Sequence, residues 1–129
     1  MVVLQTSELR PLGSLQHMTL GHHWTAVLRD CAPDRLRNPA HLARLLAVIP
    51  DALGLIRVGE PVVQALADGA FVGFTLLSAS HASIHVPPSG ADAFVDVFSC
   101  APFEESVCKS AFVAGFGAVS AETTWTVRG

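Results

Sequence analysis

Short apolar runs separated by turn residues make up the middle of the chain, which reads FVGFTLLSASHASIHVPPSGADAFVDVFSC over residues 71–100. Phe71 to Leu77 is apolar on both faces, which is typical of a central, buried strand. Ser83 to Val86 predicts a brief second strand, which the proline pair after it would end. Apolar and other side chains alternate over residues 93–100, which predicts a third strand. The stretch therefore predicts neighbouring strands joined by turns.

Helix and strand signals flank this region. Asn38 and Pro39 predict the start of a helix, because asparagine caps a helix well and proline fits its first turn. Pro50 is expected to kink or end that helix. Pro102 predicts the start of a second helix, which Gly115 and Gly117 would end. Further strands are expected at residues 23–29, at 55–58 continuing into 61–66, and at 123–127.

The order of these elements, β-α-β-β-β-β-α-β, predicts the fold class. It indicates an α+β two-layer sandwich with a mostly antiparallel sheet and two helices on one face. The other face of the sheet needs a cover, and a second copy of the chain is the economical one, so we expect a homodimer in an αββα arrangement. Pro11 and Gly13 interrupt any periodicity near the start. They predict an N-terminal extension over residues 1–18, followed by a single domain over 19–129.

The composition argues against several classes of protein. A chain of 129 residues suffices for about one domain; 50% of its residues are apolar and 15% are charged. No apolar run approaches the roughly 20 residues that cross a bilayer, and Glu8 and Arg10 interrupt any signal-peptide pattern, so we expect no membrane partner. The net charge of -3 gives no electrostatic reason to expect nucleic acid. Three cysteines without a CxxC pair indicate free thiols and a cytoplasmic protein.

Ser80, His85 and Cys100 are the candidate catalytic residues. Removing a carboxyl group from an amino acid leaves a carbanion, which an imine between the substrate amine and a carbonyl can stabilise. A chain can make that carbonyl itself when a serine in a tight turn attacks the preceding carbonyl and β-elimination then leaves a pyruvoyl group. Ser80 follows a buried run at such a turn. We expect His85 on the next strand to reach back to Ser80, and Cys100 at the end of a third strand to donate a proton.

The same stretch resembles the self-cleaving, pyruvoyl-dependent S-adenosylmethionine decarboxylases of the small prokaryotic type. The family motif is serine–glutamate–serine–histidine, then a histidine four residues on and an aspartate-containing strand that ends in cysteine. The matching positions are Ser78, Ala79, Ser80, His81, His85, Asp96 and Cys100. Gly21, His22, His23 and Cys31 are similar to the family's first strand, so the resemblance covers about residues 20–129.

The resemblance implies a reaction and a role for each catalytic residue. It implies that the chain cleaves itself between Ala79 and Ser80 and that Ser80 becomes the pyruvoyl cofactor. His85 would assist the cleavage, and Cys100 would protonate the decarboxylated product. The substrate would be a small amino-acid-type molecule: S-adenosylmethionine for polyamine synthesis, or a related amino acid such as arginine or ornithine.

Four further residues are candidates for contacts with that substrate. They are Ser78, His81 and Asp96 in the motif, and Leu66, which lies near the position where the family has an aromatic side chain that stacks on adenine. Asp96 also has a structural interpretation, which we favour: a buried carboxylate that accepts hydrogen bonds from the backbone.

Other functions stay open at this point. Val27, Val72 and Ala79 stand where the family has glutamate, serine and glutamate, which favours an uncleaved homologue that binds a small molecule or catalyses another reaction. A non-catalytic partner of a true decarboxylase is a further alternative. His81 and His85 could pair on a metal ion, but no third ligand of suitable type lies close by, so we expect no metal.

Overall fold

The structure, a computed structural model, describes residues 20–129, and the predicted extension over 1–18 lies outside them. Within the described residues, six strands form one antiparallel sheet of order β2-β3-β4-β5-β1-β6, accompanied by three helices. In chain order the elements are β1 (Gly21–Arg29), α1 (Pro33–Leu36), α2 (Pro39–Ala52), β2 (Val62–Ala65), β3 (Phe71–Leu77), β4 (Ser80–Val86), β5 (Ala93–Ser99), α3 (Glu105–Phe116) and β6 (Ser120–Arg128). The predicted α+β class is confirmed. No helix in this part of the chain is long and apolar enough to span a membrane.

The helices differ from the predictions at their ends. Asn38 caps α2 as expected, but the helix continues through Pro50 to Ala52, so the loss of the one backbone hydrogen bond that proline cannot donate does not end it. Pro102 does not begin α3, which starts three residues later. Gly117 ends α3 in the left-handed conformation, whereas Gly115 lies inside it. A Cβ at Gly115 would lie 2.6 Å from a methyl carbon of Leu45, so this glycine lets α3 approach α2 closely.

The strands also differ in extent. The prediction of a strand at residues 55–58 was wrong, because only an isolated bridge between Arg57 and Leu77 forms there. β4 begins at Ser80 rather than at Ser83. The interpretation of β3 as a central strand buried on both faces was wrong as well: β3 is second from the edge of the sheet, and alternate residues along it are exposed.

The hydrophobic core lies between the helices and one face of the sheet, which we call the inner face. Trp24 of β1 stacks on Phe112 of α3 with ring centroids 5.4 Å apart, and both side chains are fully buried. Leu46 of α2 and Ile84 of β4 belong to the same core. Because successive strand residues point to opposite sides, alternate residues of β1, β3, β4 and β5 are buried on this face, whereas the edge strands β2 and β6 contain no fully buried residue.

The opposite side of the sheet, the outer face, is not covered by a helix within residues 20–129. Its β2–β3 end is apolar and exposed, with Phe74 showing 45% and Leu76 51% of its surface to solvent. Val62, Val72 and, on β5, Phe94 extend this apolar surface. An exposed apolar area of this kind marks an interaction surface.

Candidate active site

The site begins at the turn between β3 and β4. Leu77 pairs with Ser80, so the connection consists of Ser78 and Ala79 alone. Ala79 has a φ of 57°, one of two positive values among the non-glycine residues of the described chain. The left-handed region costs a residue with a Cβ about 1–2 kcal/mol. The N–H of Ser78 donates to the carbonyl of Ile56 at 2.8 Å, which anchors the turn from outside the hairpin.

Ser80 points to the inner face and is only 8% exposed. Its Oγ lies 3.1 Å from the carbonyl oxygen of Ser78, so the hydroxyl is turned back toward the residues that precede it. The same Oγ lies 2.8 Å from Oγ of Ser99, which is completely buried and in turn accepts the N–H of Ala101 at 3.0 Å. Sequence reasoning missed Ser99, although two polar residues at the same end of two neighbouring strands were a usable signal.

Cys100 lies beside the same turn, as the sequence predicted. Ser80 pairs with Ser99 across β4 and β5, and the next N–H along the chain, that of Cys100, donates to the carbonyl oxygen of Ala79 at 3.3 Å. Cys100 itself is exposed, whereas the other two cysteines are buried. Burial raises the pKa of Cys31 to about 11 and that of Cys108 to about 12, which leaves both protonated near neutrality.

His85 is placed differently from our expectation. We expected it on the strand after Ser80, within reach of the hydroxyl, but both residues belong to β4 and lie five positions apart. At roughly 3.3 Å a residue that separates them by about 16 Å along the strand, and the odd spacing puts their side chains on opposite faces. His85 is exposed on the outer face, edge to face with Phe94 at 6.4 Å. Direct contact between Ser80 and His85 of one chain is therefore absent.

A polar network surrounds Asp96 on the outer face. Oδ2 of Asp96 lies 3.0 Å from Nε2 of His23 and 3.6 Å from Nε2 of His81, and Oδ1 accepts a hydrogen bond from Ser83. Our preference for a backbone-bonded Asp96 was wrong, because these partners are side chains. The alternation of β1, β4 and β5 brings the group together, and the sequence analysis missed His23 and Ser83 as members.

Phe98 separates this network from the end of the sheet that carries Cys100. The ring of His81 stacks on that of Phe98 with centroids 5.8 Å apart, and the guanidinium carbon of Arg128 lies over the Phe98 ring, 5.0 Å from its centroid. Gly21 makes room for the ring, since a Cβ there would come within 2.5 Å of it.

A pocket of about 520 Å³ opens on the outer face next to the network. Asp96 and His85 line it, together with Thr25, Val27, Phe94 and Glu122. Arg29 binds Glu122 through two nitrogens at 3.0 and 3.1 Å and Asp92 at 2.8 Å, and these bonds lower the pKa of both carboxyl groups. Glu122 is thus held by an arginine, whereas Asp96, the other carboxylate of the pocket, is held by histidine and serine side chains.

Leu66 lies away from the other candidates. It is exposed in the connection that follows β2, where its N–H donates to the carbonyl of Ala70 at 2.8 Å. Residues 65 and 71 pair beside it, at the opposite end of β3 from the Ser78–Ala79 turn. Leu66 of one chain therefore cannot share a site with Ser80 of the same chain.

Within residues 20–129, no group of three histidine, cysteine or acidic side chains is arranged to hold a metal ion.

Comparison with known proteins identifies the family. A family model described as S-adenosylmethionine decarboxylase matches residues 22–129. An S-adenosylmethionine decarboxylase proenzyme of Symbiobacterium thermophilum is 33% identical over 86 residues, 67% of this chain and 64% of the relative. A proenzyme of the same name from Parasynechococcus marenigrum is 32% identical over 81 residues, 63% of this chain and 62% of the relative. The matches thus span somewhat less than two thirds of these relatives.

A solved structure agrees with the sequence relatives. The crystal structure of the adenosylmethionine decarboxylase from Aquifex aeolicus superposes with a TM-score of 0.71 at 25% identity, covering 86% of this chain and 92% of that one. The predicted resemblance is confirmed over the whole fold, at identities that indicate a divergent member. The chain belongs to the S-adenosylmethionine decarboxylase family.

Proposed function

We propose that the chain is a pyruvoyl-dependent decarboxylase that cleaves itself between Ala79 and Ser80. The observation that carries the proposal is the geometry of the turn. The hydroxyl of Ser80 is folded back toward its upstream neighbours, and the carbonyl that it would attack already accepts a hydrogen bond from the N–H of Cys100. A donor on that oxygen stabilises the negative charge that develops there during attack. The positive φ of Ala79 adds strain that cleavage releases.

The cleavage can be written with the chain's own atoms. Oγ of Ser80 attacks the carbonyl carbon of Ala79, the bond from that carbon to the Ser80 nitrogen breaks, and the hydroxyl proton goes to the freed amine. Loss of the Ser80 Cα proton then expels the Ala79 carboxylate. Water converts the resulting dehydroalanine into a pyruvoyl group, releasing ammonia. Each bond that breaks lies within the Ala79–Ser80 pair, so a single turn holds all the reacting atoms.

The residues at this end of the sheet fit the group that cleavage would leave. A pyruvoyl carbonyl supplies an electron sink for the loss of carbon dioxide from an amino acid. Cys100 lies next to the new chain end and is exposed, so its thiol can reach a substrate there and donate a proton to the product carbon. Ser78 and His81 flank the bond that breaks and are both exposed.

His85 reaches this site from a second copy of the chain in our proposal. In its own chain it is about 16 Å from Ser80 by strand rise. His85, Val72 and Phe94 form a row on the exposed outer face. In the proposed dimer, the outer faces of two copies pack together about a twofold axis. If that axis lies between this row and the turn, His85 of each copy lies over the turn of the other copy. Burial of the apolar β2–β3 surface would drive that association.

The substrate that we propose is S-adenosylmethionine, and the alternative is a related amino acid such as arginine or ornithine. The outer-face pocket carries a carboxylate at Asp96 and apolar walls at Val27 and Phe94. A carboxylate suits the positive charge of a sulfonium, a guanidinium or an amine. The relatives named S-adenosylmethionine decarboxylase proenzyme support the first substrate.

A complementation experiment tests both the cleavage and the dimer. Two variants, Ser80→Ala and His85→Ala, are made with different tags and expressed alone and together. Each should stay intact alone. When they are mixed, the His85→Ala chain keeps its serine and receives His85 from the other copy, so that chain alone should be cleaved. Cleavage of His85→Ala at the full rate without a partner would contradict the role across the dimer.

An uncleaved homologue that binds a small molecule is the second candidate. The observation that favours it is the pair of Val72 and His85 on the outer face, where valine offers no hydrogen bond to the histidine. The pocket is fully formed in the intact chain and includes neither Ser80 nor Cys100. This candidate predicts ligand binding that Ser80→Ala leaves unchanged, measured by calorimetry with S-adenosylmethionine.

A further inference from the structure

Ser99 and Ser80 form a pair whose hydroxyl protons can be assigned. Oγ of Ser80 has two neighbours, the carbonyl oxygen of Ser78 at 3.1 Å and Oγ of Ser99 at 2.8 Å. Each hydroxyl has a single proton to donate. A carbonyl oxygen can only accept, so Ser80 satisfies it only by donating its own proton there. The proton shared between the two hydroxyls then comes from Ser99.

The backbone supports this direction. Oγ of Ser99 already accepts the N–H of Ala101 at 3.0 Å, so its own proton is free to point at Ser80. The result is a chain of donors that runs from the N–H of Ala101 through Ser99 and Ser80 to the carbonyl of Ser78. Ser99 is fully buried, and a buried hydroxyl keeps its partners because losing them is costly. The rotamer of Ser80 is therefore held from β5.

The end of β5 thus contacts both reacting groups of the turn. Ser99 holds the attacking hydroxyl, and the next residue, Cys100, places its N–H on the carbonyl oxygen under attack. Because both contacts come from consecutive residues of one strand end, their spacing is fixed by the backbone. Positioning of this sort raises the rate of a reaction between neighbouring groups.

We propose that Ser99 is a positioning residue for self-cleavage, which orients Oγ of Ser80 toward the carbonyl of Ala79. The inference rests on the proposed function and adds to it a residue of β5 that touches the nucleophile without reacting. A hydroxyl at position 99 is what the role requires. Threonine therefore preserves it, and alanine or cysteine weakens or removes it, since a thiol is a poor hydrogen-bond donor.

Thr75 provides a matched control. It is also a buried hydroxyl residue of the inner face, on β3, with no hydrogen-bond partner for its Oγ1 within the described residues. Thr75→Val removes a buried hydroxyl without touching the turn. Any general effect of deleting a polar atom beneath the sheet should appear in this variant as well.

The test follows cleavage of freshly made chain by intact mass, with and without hydroxylamine. Hydroxylamine cuts the ester that forms in the first step, so it reports attack by Ser80 separately from the elimination. We expect Ser99→Ala and Ser99→Cys to slow the hydroxylamine-dependent cut roughly tenfold. Ser99→Thr keeps the hydroxyl and Thr75→Val lies away from the turn, so cleavage of both should stay within about threefold of that of the unaltered chain. Thermal melts of all four variants check the fold, and Ser99→Cys serves if Ser99→Ala does not fold.

The outcomes separate the two claims. Equal rates for the unaltered chain, Ser99→Ala and Ser99→Cys would overturn the role of Ser99 and leave self-cleavage intact. A similar loss in Thr75→Val would also overturn it, because the effect would then be one of packing. If the unaltered chain is never cut, with or without hydroxylamine, the proposed self-cleavage fails, and the role of Ser99 fails with it.

Discussion

The N–H of Cys100 donates a hydrogen bond to the carbonyl oxygen of Ala79 at 3.3 Å, so β5 contacts the peptide bond that precedes Ser80. The contact follows from the register of the sheet, because Ser80 pairs with Ser99 and the next donor along β5 meets the turn. An antiparallel pair of strands thereby brings a residue 21 positions away to the end of a two-residue turn.

Ala79→Gly should stabilise the chain. Glycine adopts a positive φ without the steric cost of about 1–2 kcal/mol that alanine has there. Its greater freedom in the unfolded chain lowers stability by about 0.5–1 kcal/mol and so offsets part of that gain. The net expectation is an increase of about 0.5–1 kcal/mol in the free energy of unfolding. It is measured by urea denaturation in a Ser80→Ala background, which keeps the chain intact.

Ala65→Gly is the control for that substitution. Ala65 is an exposed residue of β2 and has no positive φ, so glycine there should lower stability by about 0.5–1 kcal/mol. Equal losses at positions 65 and 79 would show that Ala79 is not strained.

Cys100 should be the one thiol that reacts in the folded protein. Thiolates are the reactive form, and burial of Cys31 and Cys108 raises their pKa to about 11 and about 12, so both stay protonated and covered at pH 8. Brief treatment with iodoacetamide should add one label to the native chain and three to the chain in urea. Peptide mapping that finds Cys31 or Cys108 labelled as fast as Cys100 would contradict the structure.

The ion pairs of Arg29 with Asp92 and Glu122 should make the stability of the folded chain fall at acid pH. The bonds of Arg29 lower the pKa of Asp92 and Glu122 below their unfolded values, so the stabilisation is fully present above the unfolded carboxyl pKa of about 4 and is lost as pH falls through the folded values. Arg29→Gln should flatten the fall in melting temperature below pH 4. Arg44→Gln, an exposed change on α2, should leave the curve unchanged. Parallel curves for the unaltered chain and Arg29→Gln would contradict the assignment.

Asp96→Asn should weaken the binding of a cationic substrate without changing cleavage. Asp96 lines the outer-face pocket, whereas the turn and its hydrogen bonds lie on other residues. Loss of the Asp96 charge should raise KM by roughly tenfold, because the attraction between a carboxylate and a nearby, partly exposed cation is intermediate between its value in water and its value at a protein surface. Steady-state kinetics and intact mass measure the two effects, and loss of cleavage in this variant would place Asp96 in the processing step instead.

The sequence predicted the sheet better than it predicted the site. The bounds of β3 were right because a dense apolar run ends abruptly at Ser78, and the adjacency of Ser80 and Cys100 followed from consecutive antiparallel strands. The face of His85 was not predicted, because β4 was expected to begin at Ser83. Its true start at Ser80 puts both residues on one strand, and odd spacing then separates them.

Two other features depend on tertiary packing that no local pattern encodes. The side-chain partners of Asp96 come from β1 and β4, and their meeting depends on strand order, which the sequence alone left open. Ser99 has an unremarkable place in the sequence, next to a cysteine at a strand end. Its role appears only when the register pairs it with Ser80.

The central claim is that the hydroxyl of Ser80 breaks the chain at its own upstream bond, and the intact mass of the purified, unaltered protein tests it most directly. We expect two fragments that part between Ala79 and Ser80, with the second fragment resistant to Edman sequencing because its first residue is a pyruvoyl group, and a single uncut mass for Ser80→Ala. One full-length mass for the unaltered chain after prolonged incubation would contradict the account.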